Sequence, residues 1–187
     1  MAAPLHVSFL GGDRGEWRVV RQEAVVGEDL APVARVAIEE GAEPQTRRNG
    51  AEAWILRGVT GHQRYVERRE AEALRAVQAG LGRAEATCAA LIPIRKSSAW
   101  WELAQDERRA IFEERSQHIA ATLRYLPAIA RRLHHARELG EPFDFITWFE
   151  LAPVDVPRFD ELVGLLRATE EWRYVEREVD LRLVREQ

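Results

Sequence analysis

At 187 residues and 21.4 kDa the chain is long enough to bury a core without staples, and its 46% hydrophobic and 31% charged composition is that of a globular domain. No apolar run approaches the roughly 18 residues of a membrane span, and a net charge of −4 with a pI near 5.8 argues against nucleic acid or a membrane as partner. Cys88 is the single cysteine, which excludes an internal disulfide, a cysteine zinc cage and a C-x-x-C-H haem attachment.

The opening MAAPLHVSFLGGDRG lacks a basic start and carries only a short apolar patch, so it does not read as a signal peptide, and the cytoplasm is the expected compartment. LHVSFL and EWRVVRQ read as short strands, EDLAPVARVAIEEG as helix-like, and AEAWILRGVT as a strand. YVERREAEALRAVQAGLG has helical periodicity through Val66, Ala71, Leu74, Val77 and Leu81, with a glycine stop. TCAALIPIRK follows as a buried strand in which Cys88 is expected to be an inert thiol. It ends at Lys96, the sole lysine of the chain.

A helix is predicted over residues 97–126, capped by Ser97 or Ser98 and ended by Pro127, which removes a backbone donor. AIARRLHHAR and FDFITWFEL then read as an antiparallel hairpin joined by the turn-like ELGEP. VPRFDELVGLLRATEEW is helical, and RYVEREVDLRLV closes as a strand. The interleaved order places the chain in the α+β class, with two ferredoxin-like split β-α-β halves, residues 1–95 and 96–187, in one compact domain.

Within one helix, His118 and Arg131 would lie roughly 20 Å apart, at about 1.5 Å per residue. A break at Pro127 followed by a strand lets them reach one cavity from two different elements. Strand alternation sets Arg131, Leu133 and His135 on one face, Arg132 and His134 on the other, and Thr147 with Phe149 on the facing strand. An inward, unpaired arginine is costly unless an anion compensates it, so Arg131 points to an anionic ligand. His134 and His135 face opposite ways and are read as structural, not as a metal pair. No P-loop, nucleophile elbow or dinucleotide fingerprint is present.

From about residue 65 to the C-terminus the sequence resembles the chlorite dismutase family of haem proteins. The resemblance is carried by Lys96, the pair Trp100 and Trp101, His118, Arg131 placed 13 residues on, DFITWFE at 144–150, and Glu170 in RATEEWRYV. Each is weak alone; the set is specific. It implies haem b bound through His118 as the iron ligand, with Glu170 hydrogen-bonded to the other imidazole nitrogen and Glu171 adjacent and able to take that role. It further implies Arg131 as the catalytic residue over the iron, with an exchange of roles with Arg132 left open. Leu133, Thr147 and Phe149 would wall the cavity, Trp100 would pack beside the ligand histidine, and Trp101 would support the fold or a subunit contact. Lys96 and Tyr65 would approach the haem propionates.

The reaction implied is conversion of chlorite to chloride and dioxygen. The short length and the long Trp101–His118 spacing look like the short lineage of the family, built as homodimeric α+β barrels. The alternatives are coproheme decarboxylation, whose enzymes in this family lack an arginine at the position of Arg131, and haem binding without catalysis.

Overall fold

The computed structural model describes residues 4–41, 52–60 and 66–186. Tyr65, expected near the propionates, lies outside the described residues. The chain is α+β. Its eight strands are β1 (His6–Gly12), β2 (Trp17–Val26), β3 (Arg35–Gly41), β4 (Trp54–Val59), β5 (Cys88–Lys96), β6 (Ile129–His135), β7 (Phe145–Leu151) and β8 (Val175–Arg185). They close an antiparallel barrel in the order β1-β3-β2-β8-β5-β7-β6-β4. Closure removes the open strand edges that an unclosed sheet would leave for aggregation.

Alternation along the strands builds two cores from one sheet. Phe9, Trp17, Val36, Leu56, Ala89, Leu91, Ile146, Trp148, Val179 and Leu181 point into the barrel. Their neighbours Ala90, Ile92 and Phe149 point outward, where they pack against α4 (His118–Leu123) and α5 (Val156–Arg167) through Ala121, Phe159, Leu162, Val163 and Leu166. The outer face is therefore a sheet-on-helix layer, and the cavity described below lies in it.

Two expectations about elements are corrected. EDLAPVARVAIEEG is not helical: residues 28–34 are irregular, and Arg35–Gly41 is strand β3. Pro32 disfavours helix, and Val36 and Ile38 alternate so that Ile38 faces Phe9 of β1 and Val36 faces Trp17 of β2.

The helix expected over 97–126 is four pieces: α2 (Ser98–Glu102), α3 (Gln105–Arg109), a π-helical turn (Ala110–Arg115) and α4. Charged side chains make the breaks by satisfying backbone groups that a continuous helix would satisfy itself. Arg108 donates to Leu103 O at 2.8 Å and to Trp101 O at 3.2 Å, while Glu107 accepts the Ala104 N–H at 2.7 Å. Glu113 accepts the N–H groups of Ile119 and Ala120, across a left-handed Gln117 with φ of 51°. That non-glycine left-handed residue directly precedes His118, so the ring's position is set by a strained corner and not by helical continuation.

The remaining predicted strands fall where the periodicity placed them, while the helix expected through Leu81 is α1 (Arg68–Val77), with residues 78–81 irregular. None of the described helices is long and apolar enough to cross a membrane.

Candidate functional site

A cavity of about 300 Å³ lies between the outer face of β5, β7 and β6 and the helical segments, at the low end of the roughly 300–1,000 Å³ typical of cofactor sites. An apolar recess of about 70 Å³ continues it inward, past Ile92, Phe149, Leu162 and Leu166. Lys96, Trp100, His118, Arg131, Leu133 and Thr147 line the main cavity, and Phe149 lines the recess. Sequence-distant candidates thus meet because β5, β6 and β7 are neighbours and α4 folds over them. Leu133 stands opposite Thr147, and Arg131 opposite Phe149, across the β6–β7 ladder.

On the helical side, His118 Nδ1 lies 2.8 Å from Glu171 Oε2. The partner is Glu171 and not Glu170, which is partly exposed and faces Arg115 at 3.2 Å. The turn Glu171–Tyr174 decides between them: the Glu171 N–H bonds to Ser116 Oγ at 3.1 Å and turns its side chain inward, where it is 5% exposed.

Burial by itself would raise the Glu171 carboxyl, but the Lys96 charge and the His118 contact outweigh it and hold the pKa at about 2. An ionised carboxylate can only accept, so Nδ1 carries a hydrogen toward Glu171, and Nε2 is the ring nitrogen that Glu171 does not engage. Among the described residues no group of three or more histidine, cysteine or acidic side chains could hold a metal ion.

Lys96 lies beside the same pair. Its ammonium, 5% exposed, bonds to Glu171 Oε1 at 2.8 Å and sits over Trp100 at 4.6 Å and Trp172 at 5.4 Å. It is the counter-charge of the carboxylate behind the histidine.

From the sheet side comes Arg131. Its Nε has no hydrogen-bond partner among the described residues, and burial lowers its pKa from the ordinary guanidinium value. Arg132 reaches the same cavity but is ion-paired with Glu40. Among the described residues Arg131 is thus the arginine of the cavity with no ion pair. Trp101 supports the fold: its Nε1 donates to Asp144 at 3.3 Å, and Arg137 stacks on its ring at 3.7 Å. Cys88 is half-buried, with its thiol pKa pushed up by burial.

Sequence reasoning missed Gln78, Phe112, His135 and Trp172, all of which line the cavity. Gln78 Nε2 donates to Arg131 O at 2.5 Å. His135 was legible from its strand face, which it shares with Arg131. Trp172 was legible as the neighbour of an acidic partner. Phe112 carries no local signal, because its place depends on the π-helical turn.

A family model described as chlorite dismutase matches residues 42–186. A curated chlorite dismutase of Ideonella dechloratans is 33% identical over 84 residues, which is 45% of this chain and only 27% of that relative's length. The structure of a dimeric chlorite dismutase from Nitrobacter winogradskyi superposes with a TM-score of 0.88 at 59% identity, covering 96% of this chain and 99% of that one. Chlorite dismutase from Candidatus Nitrospira defluvii in complex with imidazole shares the fold, with a TM-score of 0.68 at 21% identity over 96% of this chain and 90% of that one.

Proposed function

The chain belongs to the chlorite dismutase family, and from that premise we propose that it is a haem b enzyme converting chlorite to chloride and dioxygen. One observation carries the reading: a histidine with a carboxylate behind it and an arginine whose Nε has no partner among the described residues line the same cavity. The donor set fits a haem. His118 Nε2 offers a lone pair to iron, the recess offers apolar walls, and Arg131 offers a charge that lacks an anion.

When bound, haem would supply the redox-active iron at which chlorite loses its oxygens. Everything else falls to the chain. Glu171 holds the proton at His118 Nδ1, which fixes the tautomer and strengthens Nε2 as a donor, while Lys96 limits how strongly the carboxylate pulls. Arg131 attracts the small anion into a low-dielectric pocket and holds the chlorine-bearing fragment until both oxygens have left together. Leu133, Thr147 and Phe149 restrict the volume on that side. Retention protects the tryptophans around the cavity from an escaping oxidant. Because the Nitrobacter winogradskyi relative is described as dimeric, the same assembly is inferred for this chain.

The test is oxygen evolution from chlorite by the haem-loaded protein. The wild type is expected to release dioxygen and chloride in equal amounts. Arg131→Ala should lose about 10²–10³-fold in rate, as when one preorganised charge is removed from an active site. His118→Ala should no longer retain haem. Absence of oxygen from a wild type that binds haem would overturn the reaction, and full haem affinity in His118→Ala would overturn the ligand assignment.

A further inference from the structure

His118 is fixed at one edge by Glu171, and a hydrogen bond at an edge still lets the ring rock about that bond. Its faces are flanked by Phe112, with centroids 4.5 Å apart and planes at 23°, and by Trp172, at 6.3 Å and 22°. The Trp172 indole also lies beside the Lys96 ammonium. One side chain therefore borders both groups that Glu171 engages.

Trp172 is itself held. Its Nε1–H donates to Glu178 Oε2 at 2.7 Å, and the other oxygen of that wholly buried carboxylate receives Arg167 Nε at 2.9 Å and a terminal Arg167 nitrogen at 2.6 Å. Arg167 donates in addition to Asp180, also wholly buried, which is bonded to Arg182. Burying two carboxylates against two guanidinium groups is expensive, and apolar residues of similar volume would join α5 to β8 at least as well. What apolar residues cannot supply is a fixed acceptor for the indole N–H.

We propose that Trp172 is a positioning residue: clamped through its indole N–H by the Glu178–Arg167 pair, it sets the rotation of the His118 ring and keeps water from the Lys96–Glu171 pair. The proposal rests on the reading of His118 as the haem-iron ligand. It assigns the buried ion cluster of β8 and α5 a task at the cavity, reached through one hydrogen bond. Ring orientation is a property that outer partners impose on a metal-bound histidine, and it is visible in the spectrum of the iron.

Two variants cut the same bond from its two ends. Trp172→Phe removes the donor and keeps a ring. Glu178→Gln removes the acceptor: the single amide oxygen goes to the Arg167 charge, leaving an NH₂ against the indole N–H. Asp160→Asn is the control, because it weakens the outer Arg182–Asp160 contact of the same cluster without touching Trp172.

Each haem-loaded protein is examined by ferric electron paramagnetic resonance and by the rate of haem transfer to a scavenging apo-globin. Both single variants are expected to split or broaden the high-spin signal and to speed haem loss about tenfold, the low end for an outer partner of a metal ligand. The double variant should add little to either, and Asp160→Asn should match the wild type. A variant that keeps the wild-type signal and loss rate overturns the proposal, as does a control that reproduces the effect of Glu178→Gln. Glu178→Gln alone decides the matter if Trp172→Phe does not fold. A wild type that takes up no haem defeats the underlying reading instead, and is distinguished by that result alone.

Discussion

His118 and His134 are both buried or nearly so, and both engage a partner through Nδ1, yet they sit in opposite layers of the sheet. His118 faces the ionised Glu171 in the outer cavity. His134 points into the barrel, donates to the Ile146 carbonyl at 3.0 Å and meets Phe9 edge to face at 5.2 Å. Gly58 makes room for it, since a Cβ there would lie 2.5 Å from the His134 Cβ. A carboxylate behind an imidazole strengthens it as a metal donor and tolerates positive charge nearby. A carbonyl in an aromatic core does neither, and burial lowers the His134 pKa to about 4. The backing group and the layer, more than the residue type, separate the histidine proposed as a ligand from the core histidine.

The largest expected effect breaks the charged side of this comparison. Glu171→Gln leaves the Lys96 ammonium buried without its counter-charge and should cost about 3–5 kcal/mol of apo-protein stability by denaturant unfolding. Adding Lys96→Met should recover most of that loss, whereas an isolated hydrogen-bond defect would not be recovered.

The neutral side is probed by pH. The folded pKa of His134 lies below its ordinary value of 6.5, so the unfolded chain binds the proton more readily. Its contribution is fully present above pH 6.5 and declines as pH falls toward 4, by about 3 kcal/mol at about 1.4 kcal/mol per unit. His134→Phe should flatten that slope between pH 6.5 and 4, while Glu171, with a folded pKa near 2 against 4.5, loses its contribution only below pH 4.5. A slope unchanged in His134→Phe would remove His134 from the account.

The smallest effect sharpens the contrast between function and stability. Arg131 holds an uncompensated charge at the cavity, so Arg131→Leu is expected to raise the stability of the haem-free protein by about 1 kcal/mol, the scale of an unmade buried hydrogen bond. Thermal unfolding of the two apo forms checks it.

Much of this was legible in the amino-acid order. Alternation in AIARRLHHAR set Arg131, Leu133 and His135 toward the cavity and His134 into the barrel, because a strand has only two faces, although Arg132 on the face of His134 also reaches the cavity. The α+β class followed from periods of two and of about 3.6 along the chain. Glu170 and Glu171 could not be separated, since adjacent carboxylates in a charged stretch differ only through the Ser116 contact that turns one of them inward. The helical segments of 97–126 were likewise beyond local pattern: three charged side chains divide them by bonding to backbone several residues away.

Local order, then, specified which residues can carry a ligand, a charge or an apolar wall, because composition and periodicity act over a few neighbours. Closure of the barrel and the corner at Gln117 decided which of them meet, since Lys96, His118, Arg131 and Glu171 come from four separate elements. Burial, ion pairing and the direction of a hydrogen bond are properties of that meeting, and they alone made Glu171 the partner, Lys96 its counter-charge and Arg131 the unpaired cation.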